Sequence, residues 1–579
     1  MRLSEALRVL NESRGIARVR RINLVCGFTA LHLKTFLAAH LQSELTDTRI
    51  EIVTGVYGDI AGALSGVSAG SELVVLLEWP DLDPRLGFRR LGGWGPAHTP
   101  DIAASVRQQL KVLIEKISAV AESSSVTLGL PSTPLPPFTC APGWILNADT
   151  LALRAELNEF ALDLSRHSSV RVINSSLVSA TGGESAFDFK SELQSGFPYS
   201  MSHASTLAAT IARALVRRGP KKGLITDLDD TLWSGLLGEV GLDGVSWTLD
   251  RGAQIHGIYQ QLLNGFASGG TLLAIASKND STLVRTALEQ LDLVIDKENL
   301  YPVEVSWGAK SEAVRKILNC WNIGASDVVF VDDSPMELAE VNSAFPDMEC
   351  VLFNAADYSY SYELFFKLQD LFGKLEISTE DQLRLPSIKR QELVREHREL
   401  VRSEDEFLEE LNAVLTVRFT RNFAEARPLE LVNKTNQFNL NGVRFDLANW
   451  KQLSKDPDRY LVLVDYKDKF GPLGVIAVAT GSRSAGVFNM DAWVMSCRAF
   501  SRRIEYATMD AIFSNLLVDS IELQFTPTDR NSPFREYLGS VLGRNPDANI
   551  RVSKFDFYKI CPPLHHTVNI HAECVLEAE

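Results

Sequence analysis

Cysteine is scarce in this chain and follows no pattern. The 579 residues hold seven, at Cys26, Cys140, Cys320, Cys350, Cys497, Cys561 and Cys574, with no Cys-x-x-Cys spacing. That argues against a disulfide framework or a zinc cluster and for a reducing compartment. Long apolar runs are missing too. No stretch approaches the roughly 18 apolar residues of a membrane helix. The N-terminal MRLSEALRVLNESRGIARVRR lacks the apolar centre of a secretory signal and reads as a short amphipathic helix. The expectation is a cytoplasmic protein with no membrane partner. A basic surplus is the third absence: 58 Lys and Arg stand against 73 Asp and Glu, a net charge of −15. This argues against a nucleic-acid partner. It leaves a small anionic substrate open, because a pocket can be basic in an acidic protein.

What is present is ordinary globular material. Hydrophobic residues make up 45% and charged residues 23%, which excludes wholesale disorder. The length suggests about three to four domains. Apolar runs at 22–26, 50–57, 72–78, 125–130 and 170–174 alternate with helical patterns at 31–42 and 101–122. Such alternation predicts a parallel α/β sheet over 1–218. Pro131, Pro134, Pro136, Pro137 and Pro142 make the stretch between 131 and 143 a loop. A second α/β block spans 219–375, with strands expected at 223–226, 271–276, 327–331 and 350–353 and helices at 254–268, 283–291 and 311–321. A charged segment in 376–411 reads as a helical linker. From 412 to 579 strands dominate, expected at 415–420, 460–466, 473–480, 492–496 and 521–525, with helices at 424–433, 501–517 and 533–542. This is an α+β texture.

The chemistry concentrates in GLITDLDDTLW, residues 223–233. An apolar strand ends in Asp227, and Asp229 follows two residues later. Carboxylates at i and i+2 at a strand's carboxyl end point the same way, into the crevice where open α/β sheets bind ligands. Two like charges there ask for a cation. Asp227 is suited to attack phosphorus and form an aspartyl phosphate. Asp229 is suited to protonate the leaving oxygen and later deprotonate water. TLLAIASKND places Ser277 at a strand end, where its hydroxyl can hold a phosphoryl oxygen. VSWGAKSEAV supplies Lys310 near a helix start, a cation to neutralise phosphate and aspartyl charge. VVFVDDSPMEL adds Asp332 and Asp333, carboxylates for magnesium.

These motifs resemble the haloacid dehalogenase (HAD) superfamily of magnesium-dependent phosphohydrolases over about 220–375. The resemblance implies a Rossmann-like domain with Asp227 as nucleophile, Asp229 as acid/base, Ser277 as the phosphate-binding hydroxyl and Lys310 as charge stabiliser. Mg2+ would be held by Asp227, Asp332, Asp333 and Asp229, the last through its main-chain carbonyl. The short sequence before the next strand leaves no room for a large cap, and the loop 233–244 is expected over the phosphate. DLDDTLWSGLLGEVG, SKND, VDDSP, NKTNQFNLNGVRF and WVMSCRAFSRRIEYA together resemble the FkbH-like family from end to end. One departure is Asp230, where the usual pattern has Asn; it adds a carboxylate beside the metal site. The family includes enzymes that load a glyceryl unit from 1,3-bisphosphoglycerate onto an acyl carrier protein in polyketide-type pathways. That implies two partners, a small phosphorylated acyl donor and a carrier with a phosphopantetheine arm.

The resemblance also implies a GNAT-like acyltransferase fold for 412–579. There Cys497 ends an expected strand before a helix, flanked by Arg498, Arg502 and Arg503, a setting that favours the thiolate. A thiolate can attack an acyl phosphate to give a thioester. A strand-end cysteine is equally a small buried apolar residue. Asn433, Lys434, Asn436, Gln437 and Asn439 form a polar patch that fits acyl or pantetheine amides, or else a loop with capping roles. Asn436, Gln437 and Arg498 are the substrate candidates. The basic residues of 384–402 suit an acidic carrier's docking face or a solvated helix laced with ion pairs. The first block resembles a degenerate SGNH-like module: VCGFT stands where a serine hydrolase has its nucleophile, so Asp188 and His203 are expected to be structural. The reading is a phosphatase/acyltransferase. Its alternatives are a phosphatase with binding-only flanks and a non-catalytic assembly protein.

Overall fold

The computed structural model describes residues 1–572 apart from 176, 179–184, 217–218, 401–402, 497–498, 501, 529–530 and 544–548. Two compact units result, Met1–Gly219 and Pro220–Glu579. The N-terminal unit opens on the amphipathic helix Leu3–Glu12. Its strands β1 (Val19–Cys26), β2 (Arg49–Thr54), β3 (Glu72–Leu76), β4 (Ser125–Gly129) and β5 (Val170–Val172) form one sheet in the order β2-β1-β3-β4-β5. Every pairing is parallel. Two apolar cores form on this sheet. Ile22 and Leu24 of β1 belong to one core and Val25 to the other, the two-residue alternation of a strand covered on both faces.

The second unit holds two sheets. The first has β6 (Gly223–Thr226), β7 (Leu272–Ser277), β8 (Leu300–Val305), β9 (Val328–Asp332) and β10 (Glu349–Leu352), again all parallel, in the order β10-β9-β6-β7-β8. β6, β7 and β9 are buried at every position, which is why they read as unbroken apolar runs. β8 was not expected. Its sequence LYPVEV carries Pro302 and Glu304, and a proline is tolerated because β8 is an edge strand.

The second sheet has β11 (Val414–Thr420), β12 (Phe438–Asn439), β13 (Arg459–Asp468), β14 (Gly471–Ser484), β15 (Val487–Met495), β16 (Ser520–Leu523), β17 (Ile550–Ser553) and β18 (Thr567–Ala572). Its order is β17-β16-β15-β14-β13-β11-β18, with β12 paired to β15. Along β13, Val462 and Val464 enter one core while Leu461 and Leu463 enter another. The expected linker helix is Thr379–Leu400 followed by Glu404–Glu410. Near its start, Asp381 accepts hydrogen bonds from Lys374, Ser378 and Arg384, and Lys374 and Arg384 also donate to the carbonyls of Gly269 and Gly270. Gly270 has φ +78°, and a Cβ there would lie 2.3 Å from the Asp381 carbonyl oxygen. The clasp therefore requires glycine.

Candidate active site

The carboxyl edge of β10-β9-β6-β7-β8 gathers the motif residues. β6 runs directly into Asp227, and β9 ends in Asp332 beside it. One oxygen each of Asp227, Asp332 and Asp333 lies within 4.8 Å of the others. Lys310 opens the helix Lys310–Trp321 and is almost fully buried. Its Nζ sits 2.8 Å from Asp227 Oδ1 and 2.8 Å from Asp332 Oδ2. Burial alone would lower the lysine, but the two carboxylates outweigh it and hold Lys310 above its ordinary range. Burial pushes Asp332 up, with Lys310 acting against it and Asp227 with it. One lysine facing three carboxylates leaves a net negative pocket of hard oxygen donors, the donor chemistry that suits a divalent cation.

Asp229 stands apart from that group. Its Oδ1 accepts from Trp233 Nε1 at 2.9 Å and from the Leu237 N–H at 3.2 Å, and its Oδ2 accepts from Asn279 Nδ2 at 3.0 Å. Its carboxylate is thus committed elsewhere, and the main-chain carbonyl remains the ligand atom expected of it. Burial first, then Asp227 and Asp230, raise its proton affinity. A carboxyl whose proton affinity is raised beside a second carboxylate is the pairing that general acid catalysis needs. Trp233 and Leu237 are fully buried, so the loop that carries them is anchored in the core.

Asp230 has φ +50°, and its Oδ1 accepts from the Gly235 N–H at 2.7 Å. Thr231 Oγ1 donates to Asp333 Oδ1 and accepts from the Asp333 N–H. Ser277 ends β7 and is buried. Asn279, Trp233 and Thr231 were not singled out from sequence. Asn279 lies in the quoted SKND, and its spacing after Ser277 was the available signal. The hands of Trp233 and Thr231 become visible only in three dimensions.

The second half of the expected machinery is less assembled. Cys497 and Arg498 lie outside the described residues. Arg502 sits over the Tyr466 ring and 3.8 Å from Asp468, and Arg503 donates to Asp405 and to the Pro563 carbonyl. Their charge is therefore shared with other partners. In the asparagine patch, Asn433 exchanges two hydrogen bonds with the Phe445 backbone, and Asn439 caps the turn at Asn441 and Gly442. Lys434 pairs with Glu430. Asn436 accepts from Arg444, and both Asn436 and Gln437 are exposed. Among the basic linker residues, Arg384 serves the clasp, Lys389 donates to the Glu298 carbonyl and Arg390 to the Pro472 carbonyl. The side chains of 393–402, with Arg395, Arg398 and Arg402, lie outside the described residues. Asp188 caps the helix Phe189–Ser195, and His203 Nε2 meets Ser132 Oγ.

No family model matches the chain, and no curated protein matches it. Solved structures do. One is the N-terminal part of the protein BF1531 from Bacteroides fragilis, containing a phosphatase domain complexed with Mg. It has 16% identity and a TM-score of 0.51, over 65% of this chain and 100% of that one. That likeness is one of fold, and it agrees with the parallel-sheet α/β architecture expected from the motifs. Tagatose-6-phosphate ketose/aldose isomerase from Escherichia coli matches at 13% identity and a TM-score of 0.13, over 64% of this chain and 86% of that one. A GCN5-related glucosamine N-acetyltransferase region of a fungal multi-domain GH3 β-N-acetylglucosaminidase matches at 9% identity and a TM-score of 0.16, over 93% and 66%. Neither of these two carries weight. Among the described residues no helix is long and apolar enough to cross a membrane.

Proposed function

We propose that the chain is a Mg2+-dependent phosphohydrolase of the haloacid dehalogenase type. The observation that supports this most directly is the Lys310 ammonium bridging Asp227 and Asp332, with Asp333 completing the oxygen cluster and Asp229 held apart in a proton-retaining setting. Asp227 attacks the phosphoryl phosphorus, and the bond to the leaving oxygen breaks as Asp229 delivers its proton. Asp229 then takes a proton from water, which attacks the aspartyl phosphate and releases phosphate. Lys310 holds the Asp227 carboxylate in place, and the Ser277 hydroxyl binds a phosphoryl oxygen. Asp227, Asp332 and Asp333 would hold the metal, which would supply charge neutralisation for the phosphoryl group. The expected result is Mg2+-dependent release of phosphate from a small phosphate ester, abolished in Asp227→Asn with folding retained. Phosphate release that survives Asp227→Asn sinks the reading.

The finer reading rests on the FkbH-like motif set. Here the substrate is an acyl phosphate of the 1,3-bisphosphoglycerate kind. Cys497 takes the acyl group as a thioester, with the acyl-bound phosphate leaving. The phosphatase site removes the remaining phosphate, and the acyl group passes to the phosphopantetheine thiol of an acyl carrier protein in polyketide-type biosynthesis. Asn436, Gln437 and Arg498 contact the acyl or pantetheine chain. Intact-mass measurement after incubation with the acyl phosphate tests this. A hydroxylamine-labile adduct lost in Cys497→Ala supports transfer. No adduct leaves a phosphatase with binding-only flanks. A pathway unaffected by Asp227→Asn points to a non-catalytic assembly protein.

A further inference from the structure

The N-terminal unit contains a cavity that the phosphatase chemistry does not use. In the order β2-β1-β3-β4-β5 the chain passes from β1 to one side for β2 and returns to the other side for β3. Connections diverging in this way leave a crevice at the carboxyl ends of the strands, where open α/β sheets bind ligands. A cavity of about 660 Å3 lies there, a size suited to a small molecule.

Its charges are arranged unusually. Glu192 is 8% exposed and lines the cavity, and its carboxylate makes no side-chain hydrogen bond or ion pair among the described residues. Asp81 lies beside it, and its Oδ2 accepts from the Glu78 N–H at 2.7 Å. A Cβ on Gly27 would fall 1.7 Å from Asp81 Oδ1, so glycine is what makes room for this carboxylate. Burial is the main force raising both acids, Asp81 to about 7, while the charge of Arg89, further off than an ion pair, acts the other way on Glu192. Glu78 is already saturated by the Ser132 and Thr133 backbone and hydroxyl groups and by Tyr199. The wall also carries Arg89. Its Nη1 donates to Tyr57 Oη at 2.8 Å, and it forms no ion pair among the described residues. A Cβ on Gly196, at the end of the helix bearing Glu192, would be 2.3 Å from Arg89 Nη1. An acid and a base thus share one cavity without closing on each other, with Phe28 and Phe88 as apolar wall.

An unpaired buried carboxylate is costly, and a ligand cation removes that cost. A guanidinium fork recognises a carboxylate in the same way. We propose that this cavity binds a free α-amino acid, its ammonium on Glu192 and Asp81 and its carboxylate on Arg89, as a binding site and not a hydrolytic one.

The test uses the full chain in titration calorimetry against the standard L-α-amino acids one at a time, at millimolar concentration, with the N-acetyl and decarboxylated form of each binder. Binding of one side-chain class is expected. N-acetylation should abolish it, decarboxylation should weaken it about tenfold or more, and Glu192→Gln should do the same. A thermal melt of the variant checks its folding, and Arg89→Ala gives a second, exposed substitution expected to mimic decarboxylation. Absence of binding by every amino acid overturns the proposal. So does affinity unchanged by N-acetylation, by decarboxylation or by Glu192→Gln in a folded variant.

Discussion

Lys310 does two jobs with one ammonium, since Asp227 and Asp332 both lie 2.8 Å from it. Deleting the lysine leaves two buried carboxylates facing each other, which costs about 3–5 kcal/mol. Lys310→Ala is therefore expected to lose about that much stability in chelator-treated protein, by urea denaturation. Mg2+ should recover part of the loss, because a divalent ion replaces the missing positive charge. A variant as stable as the parent without metal would show that the lysine is not the counter-ion. Asp230 makes a second residue-scale case. It adds a carboxylate whose charge acts on Asp229 and Asp333, and its φ of +50° and its bond to the Gly235 N–H also give it a backbone role. Aspartate and asparagine both tolerate that conformation and both offer an oxygen acceptor. Asp230→Asn should change stability by less than about 0.5 kcal/mol. Asp230→Val should cost about 2–3 kcal/mol, from left-handed strain plus one lost hydrogen bond. Equal melting temperatures for the two variants would remove the backbone role.

At the scale of elements, the Asp381 clasp ties the helix Thr379–Leu400 to the Gly269–Gly270 turn. Burial opposes the charge on Asp381, but Lys374, Ser378 and Arg384 win and hold it at about 2. The folded value is thus below the unfolded one of about 3.9. Stability from the clasp is present above the unfolded value and is lost as pH falls through the folded one. Asp381→Asn should destabilise by about 1–2 kcal/mol near neutrality, and its gap to the parent should narrow as pH is lowered from about 5 towards 3. A gap that stays constant over that range would detach the effect from the charge. Elements also divide what was legible in the chain. β6, β7 and β9 stood out because every residue in them is buried. Pro302 concealed β8, since only its place at the sheet edge makes the proline acceptable. β12, β17 and β18 are short or exposed and carry little periodicity of their own. Asp227, Asp229, Lys310 and Asp332 were readable because strand ends and a helix start fix where they point. Asn279 on Asp229 was not, because a hydrogen bond between two loops has no local signature.

For the whole molecule, the net charge of −15 has local structure. Asp227, Asp332 and Asp333 are concentrated in Pro220–Glu579, whereas Glu78, Asp81 and Glu192 lie in Met1–Gly219. The Asp227, Asp332 and Asp333 cluster and the Asp81 and Glu192 pair each destabilise their own unit when unneutralised, and each has its own remedy. A ligand that binds only the folded form stabilises by about 2.7 kcal/mol at one hundred times its dissociation constant. Scanning calorimetry of the full chain should therefore show Mg2+ raising the transition of the C-terminal unit while leaving that of the N-terminal unit in place. Asp332→Asn should erase the shift and leave the other transition unmoved. A Mg2+ response that is uniform across both transitions, or that persists in Asp332→Asn, would mean the ion acts outside the Asp227, Asp332 and Asp333 cluster.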